Sequence, residues 1–83
     1  MTKQKVIHEA IDAERKRQDI LWGEQNHDAI TWMNILLEEV GEAAKCVNDF
    51  DVKVDAREQY EVELIQVAAV AVAMIESYRR NGF

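Results

Sequence analysis

Three glutamates in one short stretch, Glu38, Glu39 and Glu42, followed about twenty residues later by Glu63, are the side chains of this chain whose type and spacing could do chemistry. Glu39 stands three residues after Leu36 and four before Ala43, so on a helix it falls on the apolar stripe, where a solvated glutamate has no place. Glu42 follows one turn later and about 60° round, so the two carboxylates can aim at one point. Glu63, three residues before Gln66 and four before Val67, repeats the arrangement on a second helix. Carboxylates converging in an apolar setting repel one another and take up protons unless a cation neutralises them. Oxygen-only ligands select a hard divalent metal. Magnesium is expected rather than calcium, because there is no Asp-rich twelve-residue loop, and Mn2+ can substitute for it. A di-iron bundle would need Glu-x-x-His on its inner helices, and these segments contain no histidine.

The elements that must hold these groups are helices. The chain has 83 residues, no proline and three glycines, and it reads as one all-α domain over residues 1–83. The first helix is expected from about Thr2 to Leu21, with Val6, Ile7, Ala10, Ile11, Ile20 and Leu21 as its packing stripe and Gly23 as its stop. A polar segment, Trp22 to Asp28, leads to a cap at Asp28 and a second helix to about Asn48, with the stripe Trp32, Ile35, Leu36, Val40, Ala43, Ala44 and Val47. The third helix is expected from about Ala56 to Arg80. From Leu64 to Ile75 only Gln66 is polar, so this helix needs cover nearly all round. Twelve residues are too few for a membrane span, which needs roughly 20.

A domain this small buries little surface, and the single cysteine, Cys46, cannot form an intramolecular disulfide, so self-association is the expected stabiliser. The predicted architecture is a three-helix protomer that completes a four-helix core as a homodimer or a dimer of dimers. Gly41, inside a helix, suggests close approach of another helix or a ligand. With 16 acidic and 10 basic residues the formal charge is -6, which disfavours nucleic acid as a partner. The bases of the first helix, Arg15, Lys16 and Arg17 among them, are interleaved with acids and read as a solvated face with ion pairs. A polar start and a lone cysteine suit the cytoplasm.

The words Trp32 followed by Ile-Leu-Leu-Glu-Glu-Val-Gly-Glu-Ala-Ala-Lys to Lys45, and Glu-Leu-Ile-Gln-Val-Ala-Ala-Val-Ala-Val-Ala from Glu63 to Ala73, resemble the MazG-type nucleoside triphosphate pyrophosphohydrolases. These form an all-α superfamily that includes dimeric dUTPases. Arg17-Gln18-Asp19, Trp22-Gly23 and Gln25-Asn26-His27 resemble the lead-in of small bacterial and phage-like members. The family motif is Glu-Glu-x-x-Glu and then Glu-x-x-Asp; Glu38, Glu39, Glu42 and Glu63 match, and Gln66 stands where the family has aspartate. An amide oxygen can still ligate magnesium but supplies no charge.

The resemblance implies attack of water on the α-phosphorus of a nucleoside triphosphate, releasing a monophosphate and pyrophosphate. It implies Glu39, Glu42, Glu63 and Gln66 as metal ligands and Glu38 as the group that positions or deprotonates the water, unless it ligates a second ion. Lys45, Lys53 and Arg57 are the candidates for the β- and γ-phosphates, with surface solubility as the competing role. Trp22, Asn26, His27 and Trp32 are candidates for the base, with core packing competing for the two tryptophans. Gln66 motivates an alternative, a catalytically weak or silent helical module that binds nucleotide or assembles. A third reading is a coiled-coil-like dimeriser with no ligand.

Overall fold

Each helix starts or stops where a side chain or a glycine supplies what the backbone lacks. In a computed structural model describing Met1–Phe83, the chain forms α1 (Lys3–Trp22), α2 (Ala29–Asn48) and α3 (Ala56–Asn81), with no strand. The Thr2 hydroxyl accepts from the Lys5 N–H at 3.1 Å and the Asp28 carboxylate from the Thr31 N–H at 2.8 Å, satisfying N–H groups a helix start leaves free. Gly23, at φ 68°, ends α1 by donating to the Asp19 carbonyl at 2.8 Å. Gly82, at φ 78°, ends α3 on the Tyr78 carbonyl. Both sit where a side chain would strain the backbone. All three helices stand within a residue of their expected bounds.

α3 is the central helix: it contacts both others, and α1 and α2 do not contact each other. A trough therefore runs between α1 and α2 with α3 as its floor. Trp32, Val70 and Ala73 form the buried core, with Ile35, Leu36 and Met74 packed on it. Ala69 is fully buried, and its small side chain lets the neighbouring helices come close.

The expected stripe of α1 is not the face that packs. Val6, Ile7, Ile20 and Leu21 are exposed, and Ile11, Glu14, Arg15 and Gln18 are the covered side chains of this helix. The phase explains it. Ile20 lies nine residues after Ile11, about 180° round the helix, so the two cannot share a stripe. Positions 11, 14, 15 and 18 do share one. α1 is thus held by polar groups: Arg15 Nε donates to Glu76 Oε1 of α3 at 2.9 Å, and its Nη1 and Nη2 donate to Gln18 and Asp19, each at 3.0 Å.

The stripe of α2 divides in two. Trp32, Ile35, Leu36, Glu39 and Ala43 face the interior, whereas Val40, Ala44 and Val47 turn outward with Ile30, Met33 and Leu37. The outward set, at 30, 33, 37, 40, 44 and 47, has the alternating three and four spacing of a coiled-coil seam. α3 carries a matching row, Leu64, Ala68, Ala71, Ile75 and Tyr78, so within the protomer it is covered on one side only. An apolar groove lined by Ala29, Met33, Met74, Ile75 and Tyr78 joins the two rows on the side away from α1. A Cβ on Gly41 would meet nothing within 4 Å, so no helix of this chain makes the close approach expected there. No helix is long and apolar enough to cross a membrane.

Candidate metal and substrate site

The floor of the trough carries the acidic cluster. Glu39 from α2, and Glu63 and Gln66 from α3, are half-buried and meet at one point. The terminal atom of the Gln66 amide lies 2.9 Å from Glu63 Oε2 and 3.0 Å from Glu39 Oε2. With no cation present, that atom is the amide nitrogen, donating to both carboxylates. Turned over, the amide puts an oxygen at the same place, beside two carboxylate oxygens. Bonds of 2.0–2.1 Å in an octahedron leave neighbouring ligand oxygens about 2.9 Å apart, which is the spacing of the Gln66 atom from each of the two carboxylate oxygens. Burial, and then the neighbouring carboxylates of Glu63, Glu42 and Glu14, push the Glu39 carboxyl above its usual range. Such a group is relieved by a cation.

Glu42 and Glu38 do not join that point. No group of three or more acidic, histidine or cysteine side chains is gathered as a metal cage. Glu42 is exposed and lines a second cleft with Glu63, Lys45 and Lys53. Glu38 is exposed, turned about 100° from Glu39 round the axis of α2, on the same flank as Ile35 and Glu42.

Above the cluster the trough opens as a cavity of about 310 Å³ lined by Glu14, Arg17, Gln18 and Trp22 of α1, Gln25, Trp32, Ile35 and Glu39, and Gln66 and Val70 of α3. Trp32 lies beneath it, 3% exposed, with its Nε1–H buried and unpaired. The His27 ring stands edge-on to Trp32, centroids 4.9 Å apart.

The other expected substrate residues are dispersed. The Asn26 side-chain oxygen accepts from Arg80 and from Asn81 Nδ2, the latter at 2.7 Å, and Arg80 also bonds the Gln25 carbonyl. Asn26 is thus a clasp between the α1–α2 connection and the end of α3. Lys53 pairs with Asp49 at 3.3 Å. The Arg57 guanidinium lies 4.4 Å from the centre of the Phe50 ring, which itself stands edge-on to Tyr60, so Arg57 anchors the connection between α2 and α3, away from Glu39. Of the expected set, Trp22 and Trp32 line the cavity and His27 supports Trp32.

Glu14, Arg17 and Gln18, of which the sequence placed Arg17 on a solvated face and Arg17-Gln18 in the lead-in, also line the cavity. Arg17 Nε and Nη2 donate to the two oxygens of Glu14 at 2.8 and 2.6 Å, and this pairing, ahead of other influences, holds the Glu14 carboxyl below its usual range. Gln18 Nε2 donates to Glu14 as well, at 3.2 Å. The legible signal was phase: positions 14 and 18 continue the face begun by Ile11. Compared with protein-family models, curated proteins and solved structures, the chain matches none.

Proposed function

We propose that this protein is a magnesium-dependent nucleoside triphosphate pyrophosphohydrolase of the MazG type, converting a nucleoside or deoxynucleoside triphosphate and water to the monophosphate and pyrophosphate. The observation that carries the reading is the meeting of Glu39, Glu63 and Gln66 beneath a cavity of nucleotide-fragment size, with the Gln66 amide end 2.9 and 3.0 Å from the two carboxylate oxygens. Glu39, Glu63 and Gln66 would hold the metal, and Glu42, in the adjoining cleft that it shares with Glu63, stands outside that set. Magnesium held there would polarise the phosphoryl oxygens and screen their charge from the surrounding carboxylates. Trp22, 58% exposed, offers the cavity flat apolar surface for the base, and Trp32 closes the cavity from beneath. In the reaction, a water oxygen bonds to the α-phosphorus, the bond from that phosphorus to the α,β-bridging oxygen breaks, and its electron pair leaves with pyrophosphate. Glu38, on the flank of α2 beside the trough, takes the water's proton.

The working form is a homodimer, or a dimer of dimers, in which the outward rows of α2 and α3 pair with those of a second copy. Three features support it. The rows are apolar and continuous, with Leu37 58% and Ile75 54% exposed. The radius of gyration is 14.0 Å, against about 12 Å for a compact chain of this length. The accessible surface is 6164 Å², about 1,000 Å² above that of a folded monomer of this mass, and a stable interface takes about 800 Å² from each partner.

One observation favours a second reading, the silent nucleotide-binding or assembly module: as a donor, the Gln66 amide satisfies both carboxylates without any metal. Pyrophosphate release from the eight common ribo- and deoxyribonucleoside triphosphates, with magnesium and with EDTA, separates the two. Release that depends on magnesium and is lost in Glu63→Gln supports the enzyme. No release from any of the eight sinks it.

A further inference from the structure

Charge accounting in the trough points to an unassigned residue. The proposed substrate brings a polyphosphate into a cavity that already holds the carboxylates of Glu14 and Glu39. The cations first expected to meet it lie elsewhere: Lys45 and Lys53 in the second cleft, Arg57 on Phe50. Arg15 and Arg80 line a neighbouring cavity and are committed to holding α1 and the α1–α2 connection on α3. Arg17 is the one cation lining the cavity above Glu39 and Gln66.

We propose that Arg17 binds the polyphosphate of the substrate, exchanging Glu14 for phosphate oxygens across the cavity from the Glu39–Gln66–Glu63 cluster. This rests on the nucleotide reading above. Three features fit Arg17 to the task. Its guanidinium already engages a pair of oxygens as a fork, through Nε and Nη2, and the same fork matches two oxygens of a phosphate. Its present partner is on its own helix, one turn away, and the Arg17 side chain is 51% exposed. The Arg17 end of this pair is open to solvent while the Glu14 side chain is 12% exposed, and releasing it leaves α1 on α3, whereas freeing Arg15 would remove the bridge to Glu76 that joins the two helices. The third feature is Trp22, whose ring lies 6.0 Å from the guanidinium carbon and keeps the cation at the cavity. Glu14 is not stranded by the exchange, because Gln18 Nε2 still donates to it.

The test is titration calorimetry of the 83-residue chain with inorganic tripolyphosphate and magnesium, with pyrophosphate release from nucleotides measured on the same preparations. Arg17→Ala is expected to weaken tripolyphosphate binding at least about tenfold, and Arg17→Lys, which keeps charge but loses the fork, to fall between it and the parent. Lys16→Ala removes the neighbouring charge on the same helix and should leave binding within about threefold, since Lys16 makes no part of the cavity. Glu14→Gln should bind tighter than the parent, because Arg17 no longer leaves a carboxylate; a merely structural Arg17–Glu14 pair would not give that sign. The inference is overturned if the parent does not bind tripolyphosphate, if Arg17→Ala binds as the parent does, or if Lys16→Ala loses as much. Failure to hydrolyse any nucleotide, with the Arg17 effect on binding intact, defeats the pyrophosphohydrolase reading alone. Hydrolysis with an unchanged KM in Arg17→Ala defeats the Arg17 assignment alone.

Discussion

Replacing Glu39 by glutamine should stabilise the metal-free protein and remove its response to magnesium. The oxygens of Glu39 and Glu63 lie 3.0 and 2.9 Å from the same amide atom, and so stand no more than about 6 Å apart. At that distance two unit charges repel by about 0.7 kcal/mol in water and about 3 kcal/mol at an effective dielectric of 20. Glu39 is only half-buried, which places the gain near the low end, about 1 kcal/mol. Glutamine keeps an oxygen to accept from Gln66, so the hydrogen bond survives. For a domain of this size about 1 kcal/mol moves Tm by about 4–8 °C.

The pH dependence has a definite sign. Burial and neighbouring carboxylates raise the Glu39 carboxyl in the folded protein above its usual 4.5, so the fold holds a proton that the unfolded chain gives up more readily. Stability from this group is complete below 4.5 and is lost as pH rises through the elevated folded value. Thermal melts in EDTA at one protein concentration, from pH 4 to 8, should therefore show a parent-minus-variant difference that grows with pH and then levels. Saturating magnesium should raise the parent's Tm, by the equivalent of about 2.7 kcal/mol at a hundred times Kd, and leave Glu39→Gln nearly unmoved. A Glu39→Gln protein less stable than the parent in EDTA at pH 7, or equally stabilised by magnesium, would refute the placement of Glu39 in a repulsive cation site.

Other consequences follow from the same geometry. Gln66→Asp puts a third carboxylate at the meeting point, so it should lower Tm in EDTA and bind magnesium at least about tenfold tighter by calorimetry; unchanged affinity would remove Gln66 from the ligand set. Leu37→Glu, or Ile75→Glu on α3, charges the outward rows and should shift the protein to a monomer in light scattering after size exclusion, whereas a parent that is itself monomeric at micromolar concentration ends the dimer proposal. Arg15→Ala leaves Glu76 and buried Gln18 without their donor, a loss of about 1–3 kcal/mol, with amide exchange accelerated in α1 before α2. Because pairing with Arg17 lowers the Glu14 carboxyl, its contribution is present above the ordinary carboxylate range and fades as pH falls through the lowered value. Glu14→Gln should accordingly cost stability at pH 7 and little at pH 3, measured by urea unfolding.

Local signals fixed most of what could be read from the chain alone. Helix bounds depend on groups a few residues apart: Thr2 and Asp28 supply acceptors, Gly23 and Gly82 adopt positive φ, and the structure follows them to within a residue. The placing of Glu39, Glu63 and Gln66 on inward faces is equally local, because helical phase alone separates them from the solvated side. What phase cannot supply is which faces meet. Val40 and Trp32 read as one stripe until the position of α3 divides inner from outer. Arg57 and Asn26 read as ligand groups until Phe50 and Arg80, distant or across a turn, claim them. Arg17 reads as one more surface charge until the gap between α1 and α2 sets it over Glu39 and Gln66. The sequence by itself determined three helices and the inward phase of Glu39, Glu63 and Gln66, since both follow from periodicity and residue chemistry within single turns, but it also placed Glu42 with them, which the fold does not. Only the tertiary structure decided the trough, the unpaired outer rows and the company each charge keeps, because these depend on packing between segments tens of residues apart.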